Sequence, residues 1–218
     1  MDVITLTPES ADYPTEFNTI GDDMPLVLYA LGNTELLTHP HKVAIIGSRN
    51  ADSNGTDAAY RLGRNYAENG WVVVSGLAAG CDTAAHQGCL DAGGKTIAIV
   101  ATGLDRVHPK ANIALQEDIL RLGGLILSEL PLGTKANPTR LIARTRLQAA
   151  LSDPIIVAQC AKQSGTMYTI AFAQKYGKHL LAVHYDYLTE QTAGNHLLIE
   201  NGIADTLSVP PMHQIFLH

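Results

Sequence analysis

Behind the apolar run Trp71-Val72-Val73-Val74 the chain reads Ser75-Gly76-Leu77-Ala78-Ala79-Gly80, with few functional side chains and a glycine near each end. Glycine admits positive φ and lets a ligand approach the backbone, and a helix opening directly behind such a turn presents unpaired N–H groups to an anion. The chemistry on offer is phosphate binding. Similar clusters follow other apolar runs: Gly47-Ser48-Arg49, Thr102-Gly103-Leu104, Ser128-Glu129 and Ser164-Gly165-Thr166. Along one edge, their backbone donors, hydroxyls and helix starts would converge in a groove suited to a phosphodiester chain or a nucleotide.

Cations are expected to complete that groove. Arg49 stands at a strand end, as does Lys162, while Arg140, Arg144 and Arg146 gather at the start of a helical stretch. Positive charge there opposes the helix dipole, so an external anion explains these arginines better than a partner carboxylate such as Glu129. Asp82, Asp105 and Glu129 are the carboxylates nearest the expected groove, and His86 and His108 the nearest bases. Separation along the chain establishes no catalytic arrangement among them. Asp82 (or Thr83) reads as a helix cap and His86 as a core hydrogen-bonding group, so no catalytic residue is assigned. Tyr168 and Tyr60 are the aromatic side chains placed near the groove, where bases would stack.

Negative findings narrow the field. The first turn, GSRNADSNG, lacks G-x-G-x-x-G, and GxxxxGK[ST] occurs nowhere, so ordinary NAD and P-loop readings drop and no cofactor is called for. Cys81, Cys89 and Cys160 form no CxxC pair and read as small packing residues, and the histidines form no metal motif. The net charge of −6 excludes a protein that coats nucleic acid by bulk charge and leaves room only for a local positive strip. No apolar run approaches the ~18 residues of a membrane span, and the first residues lack the basic start of a signal peptide. A cytoplasmic protein without membrane contact is expected.

The elements that must position these residues alternate regularly. Strands are expected at 25–30, 43–46, 71–74, 96–101, 125–127, 155–158 and 179–183, with 31–33 as a turn; helices at 56–68, 82–92, 112–122, 141–151 and 166–176. β-branched runs alternating with helices of this length predict an α/β, Rossmann-like, mostly parallel sheet with helices on both faces. Such sheets bind ligands at the carboxyl ends of their strands. With 218 residues, 46% of them hydrophobic, the chain fits one domain. That domain is set at 24–205, between an N-terminal tail or edge cover at 1–23 and a C-terminal tail at 206–218.

Eight collinear segments also carry a resemblance: GNTELL (32–37), KVAIIGSRNA (42–51), VVSGLAAGCDTAAHQGCL (73–90), TIAIVATGLDRVHPKAN (96–112), LILSELPLGT (125–134), RTRLQAALSDPIIVAQ (144–159), QSGTMYTIAFAQKYGK (163–178) and AGNHLLIENGIA (193–204). Together they resemble the DNA-processing protein A (DprA/Smf) family. The resemblance implies an extended Rossmann fold that binds single-stranded DNA, commonly dimerises, and helps load the RecA recombinase during natural transformation, without enzymatic activity. It places anion-binding turns on Gly47, Ser48 and Arg49, on Ser75, Gly76, Leu77 and Gly80, and on Ser164, Gly165 and Thr166, and an arginine-rich helix start on Arg144 and Arg146. The chain departs from the family pattern at Ala79 and Gln163, where a cation is common, at Gln159, where an acid is common, and at Thr145, where an asparagine is common. It is read as the family's core alone, expected without the N-terminal helical extension and the C-terminal winged helix of many members. The competing reading from the residues is a pocket for a nucleotide-derived small molecule, either sensing it or hydrolysing its N-glycosidic bond; the SGTMYT turn lacks the glutamate of the PGGxGTxxE hydrolase motif.

Overall fold

In the computed structural model, which describes residues 2–209, one nine-stranded sheet runs through the molecule. Its strands are β1 (Ile4–Leu6), β2 (Leu28–Gly32), β3 (Lys42–Ile46), β4 (Val72–Ser75), β5 (Thr96–Ile99), β6 (Leu125–Ser128), β7 (Ile155–Val157), β8 (Leu180–Val183) and β9 (Asp205–Leu207). Their order is β1-β2-β6-β5-β4-β3-β7-β8-β9. From β6 to β9 every neighbouring pair is parallel, while β2 runs antiparallel to β6 and β1 antiparallel to β2. The expected architecture is present.

Among the described residues six α-helices cover the two faces: α1 (Ser53–Glu68), α2 (Cys81–Asp91), α3 (Ile113–Arg121), α4 (Pro138–Leu151), α5 (Thr166–Lys175) and α6 (Ala193–Glu200). Alternation along β3 shows how the strands are shared. Val43 and Ile45 pack with Ala58, Leu62 and Ala85 of α1 and α2, whereas Ala44 and Ile46 pack with Ala149, Ile170 and Leu198 of α4, α5 and α6. Burial on both faces is why these strands are continuous apolar runs rather than alternating ones.

The ends of the elements follow local chemistry. Asp52 caps α1 by accepting from the Gly55 N–H at 2.9 Å, and Gly70, at φ 78°, lets the chain turn after it. Helix α4 begins three residues earlier than expected because Asn137 accepts from Arg140 N–H at 2.8 Å and Pro138 fits the first helical position. Strand β2 extends through Leu31 and Gly32, expected as a turn, because both pair with β6 opposite Ile126 and Leu125. Helix α6 and strand β9 were not expected. The first is short, and the second, Asp205-Thr206-Leu207, is a largely exposed edge without an apolar run.

Residues 2–23, read as a tail or an edge cover, contribute β1 and two short 3-10 turns, and Leu6, Tyr13, Phe17 and Ile20 enter the core with Leu147 and Leu151 of α4. Lys42 anchors this cover: its buried ammonium donates to the carbonyls of Leu37 (3.0 Å) and His39 (2.6 Å) and pairs with Glu16 at 2.6 Å. Of the C-terminal tail set at 206–218, Thr206 and Leu207 belong to β9, and 210–218 lie outside the described residues. No helix among the described residues is long and apolar enough to cross a membrane.

Candidate functional site

Chain direction changes across β3. The connections from β3 run outward to β4, β5 and β6, and the chain then returns through α4 to β7 on the other side of β3. Where the two halves part, their loops diverge and leave a crevice at the carboxyl ends of the strands. A cleft of about 660 Å³ occupies that place, lined by Gly47, Ser48 and Arg49 after β3, Arg144 and Gln148 of α4, and Ser164, Gly165, Thr166 and Tyr168 around the start of α5.

Arg144 is the central cation. Only 6% exposed, it reaches from α4 to donate from Nη1 to the Ile99 carbonyl at 2.6 Å, at the end of β5. Its Nε is buried and has no hydrogen-bond partner among the described residues. An unmet buried donor costs about 1–3 kcal/mol. Burial pushes the guanidinium's pKa down from its usual value, with Asp82 opposing that shift and Arg49 adding to it.

The Ser75–Gly80 turn proves to be the seat for this arginine rather than an open cradle. A Cβ on Gly76 would fall on the guanidinium of Arg144 and lie 2.6 Å from Asp82 Oδ2. Gly76 N–H and Ala78 N–H donate to Asp82 Oδ2 at 3.1 and 3.3 Å, so Asp82 secures the turn from within α2, while Gly80 takes the cap position in place of the expected Asp82 or Thr83. Burial raises the Asp82 pKa and Arg144 opposes the rise. Leu77 holds φ 59°, a left-handed conformation that costs a branched residue roughly 1–2 kcal/mol. Its side chain is fully buried and its carbonyl accepts from Asn112 Nδ2 at 2.8 Å. Gly80, at φ 75°, backs onto the carbonyls of Ser48 and Arg49, which ties the β4 turn to the β3 turn.

Several residues expected at the groove are engaged elsewhere. Ser75 is fully buried and donates its hydroxyl to the Ile45 carbonyl at 2.7 Å. Thr102 is buried and donates to the Arg106 carbonyl at 3.0 Å, and Gly103 lies against Pro131 and Leu132, so neither lines the cleft. Arg146 corrects the expectation most clearly. Both its terminal nitrogens fork onto Glu129 at 2.5 Å, and its Nε donates to the Asp23 carbonyl at 3.0 Å. A guanidinium with donors committed to a carboxylate and a backbone carbonyl is a brace between α4, the β6 end and the N-terminal cover. Lys162 is exposed beside the cleft without lining it, Asp105 accepts from Gly133 N–H at 2.8 Å outside it, and Tyr60 donates to Asp91 at 2.9 Å between α1 and α2.

His86 is the core group expected. Fully buried, it holds Thr96 Oγ1 at 2.7 Å through Nδ1. Because the Thr96 hydroxyl donates to the Val73 carbonyl at 2.6 Å, His86 carries its proton on Nδ1. Burial, with Arg144 adding to it, depresses its pKa to about 3.

Two supports lie outside the expected site residues. Gln159 accepts from Asp52 N–H at 3.0 Å and donates to Asp52 Oδ1 at 2.9 Å, while its carbonyl accepts from Ser48 N–H at 2.7 Å. It therefore fixes both the β3 turn and the start of α1. Asn112 bridges the Leu77 carbonyl and Thr83 Oγ1, each at 2.8 Å. Ser164 organises the last turn: its hydroxyl accepts from Thr166 N–H at 3.2 Å, which leaves Gly165 in open space.

The family model described as "DNA recombination-mediator protein A" matches residues 4–215. The DNA processing protein DprA of Streptococcus pneumoniae is 40% identical over 190 residues, which cover 87% of this chain and 66% of that protein's length. Its X-ray structure superposes with a TM-score of 0.86 at 36% identity, over 95% of this chain and 71% of that one. DNA processing protein A of Helicobacter pylori, whose structure is described as giving insights into its single-stranded DNA binding mode, superposes with a TM-score of 0.84 at 34% identity, over 99% of this chain and 94% of that one. By the span of the family model and the agreement of these folds, the chain belongs to the DNA recombination-mediator protein A family, the DprA/Smf proteins.

Proposed function

We propose that this chain binds single-stranded DNA along the cleft at the carboxyl ends of β3, β4 and β7, in DNA processing for recombination or natural transformation. Arg49 and Arg144 are the phosphate partners, the Gly47–Arg49 and Ser164–Thr166 turns admit the backbone, and exposed Tyr168 offers a ring to a base. The observation that carries this reading is the match, over nearly the whole chain, to the H. pylori protein described for its single-stranded DNA binding. The cleft adds room, about 660 Å³, and the Arg144 guanidinium in its wall. The acidic total charge does not oppose it, because Arg49 and Arg144 line the same cleft. The same proposal includes a cytoplasmic homodimer that hands DNA to RecA, as the family resemblance implies, with no chemical step.

Fluorescence anisotropy of labelled oligo-dT at two salt concentrations, with free nucleotides as competitors, tests it. Salt-sensitive binding that mononucleotides barely displace is the expected result. Failure to bind, or full displacement by one mononucleotide, would assign the cleft to a small nucleotide ligand.

A further inference from the structure

The two ends of the cleft differ in charge. Arg144 lies across the end of β4, Arg49 follows β3, the Ser164–Thr166 turn follows β7, and Glu190 and Gln191 stand in the loop between β8 and α6. In the order β4-β3-β7-β8, three strand spacings separate the first from the last, about 14 Å. One end is therefore cationic and the other carries a carboxylate. Asp82, the cleft's other carboxylate, is buried and taken up by the N–H groups of Gly76 and Ala78, whereas Glu190 is exposed and makes no hydrogen bond or ion pair among the described residues. The backbone that carries it is fixed. Thr192, fully buried, donates its hydroxyl to the Tyr187 carbonyl at 3.0 Å and accepts from Thr189 N–H at 2.9 Å, which closes the turn that holds Glu190 and Gln191. Asn195, 1% exposed, donates to the carbonyls of Ala158 and Val183 at 3.1 and 3.0 Å and accepts from Cys160 N–H at 2.8 Å, so the ends of β7 and β8 keep one spacing.

A free carboxylate repels phosphate, so a strand held by Arg49 and Arg144 presents bases rather than backbone to the β8 end. Carboxylate oxygens accept only, and they select bases by their N–H groups. The Watson–Crick edge of guanine offers two donors side by side, N1–H and the N2 amino group, which match the two oxygens of one carboxylate. Cytosine and adenine offer an amino group beside an acceptor nitrogen, and thymine a single N–H between two carbonyls that the carboxylate repels. The ring of Tyr168, 49% exposed, stacks on any base and does not choose among them. We infer that Glu190 makes the β8 end of the cleft a base-reading site that favours guanine and disfavours thymine. The inference rests on the single-stranded DNA reading and adds base selection to it.

The test uses the full chain and four labelled strands of one length: oligo-dT and alternating dT-dG, dT-dC and dT-dA. Anisotropy is read in lithium salt, which does not support guanine quartets, and without divalent cations, which would bridge the carboxylate to phosphate. The dT-dG strand is expected to bind about fivefold to tenfold tighter than oligo-dT, within what one bidentate pair of side chain and base contributes. It is also expected to bind tighter than dT-dA, which shares purine stacking on Tyr168 but lacks the paired donors. Glu190→Ala, in an exposed loop, is expected to bring dT-dG and oligo-dT within about twofold of each other. Equal binding of all four strands, equal gains for dT-dG and dT-dA, or a guanine preference that survives in the variant overturns the inference and leaves the DNA reading standing. No binding by any strand overturns both.

Discussion

Gly76 and Arg144 occupy each other's space: the hydrogen that Gly76 carries in place of a side chain is what allows the guanidinium to lie across the end of β4 and reach the Ile99 carbonyl. Gly76→Ala therefore displaces the arginine instead of merely stiffening a turn. The expected result is a destabilisation of about 1–3 kcal/mol, as for overpacking in a filled interior. A loss of DNA affinity of about tenfold or more accompanies it. Urea unfolding and oligo-dT anisotropy on the same preparation check the two together.

Arg49 and Arg146 separate binding from bracing. Arg49 is exposed at the cleft, so Arg49→Ala leaves urea stability unchanged while the slope of log K against log salt falls by about 0.7, one phosphate contact on a single strand. Arg146→Ala strips Glu129 and the Asp23 carbonyl of their shared donor. Stability is expected to fall by about 1–3 kcal/mol with the salt slope unaltered. The reverse pattern would return Arg146 to the DNA.

Gln159→Glu tests the junction of the β3 turn and α1. It replaces the amide donor 2.9 Å from Asp52 Oδ1 with a carboxylate oxygen, and two facing carboxylates cannot both ionise at that distance without cost. A loss of about 1–3 kcal/mol at pH 7 is expected, recovered on acidification as the pair takes up one proton. Urea midpoints at pH 7 and pH 5 read this, and equal deficits at the two values would count against it.

His86 gives the fold a defined pH response. Its folded pKa, about 3, lies below the ordinary 6.5, so the unfolded chain binds the extra proton between those values. The stability this contributes is complete above 6.5 and is lost progressively as pH falls toward 3, by up to about 1.4 kcal/mol per pH unit. Asp82, whose pKa is raised, works with the opposite sign just above its ordinary 3.8. Comparing wild type with His86→Gln between pH 6.5 and 5 isolates the histidine, and the variant should show the shallower slope.

Strand and helix order was legible because burial on both faces writes parallel strands as unbroken apolar runs, and glycines after α1, α2, α3 and α5 mark the helix ends. β9 lacks an apolar run, and α6, though Gly202 closes it, is only eight residues long. The site was legible as an edge but not as contacts. Sequence places Arg144 and Arg146 on one helix start alike, yet two positions on a helix point about 200° apart. One faces the sheet's end and the other the N-terminal cover. Ser75 and Thr102 looked like ligand groups because short hydroxyl side chains serve loops, cores and phosphates equally well, and only the fold shows that they satisfy the carbonyls of Ile45 and Arg106. Gln159 and Asn112 fall in segments that carry the resemblance, yet their work was not legible, since the backbone they hold lies far away in the chain.

Because the crevice forms where the two halves of the sheet part, it draws on Gly47–Arg49 near the beginning of the described chain and on Ser164–Tyr168 near its end, with Arg144 reaching over from between them. Contacts of such long range form late, after the local turns and helices. A nascent chain still short of α5 thus holds the whole turn after β3 and yet no cleft, and the crevice closes only once α5 has been made.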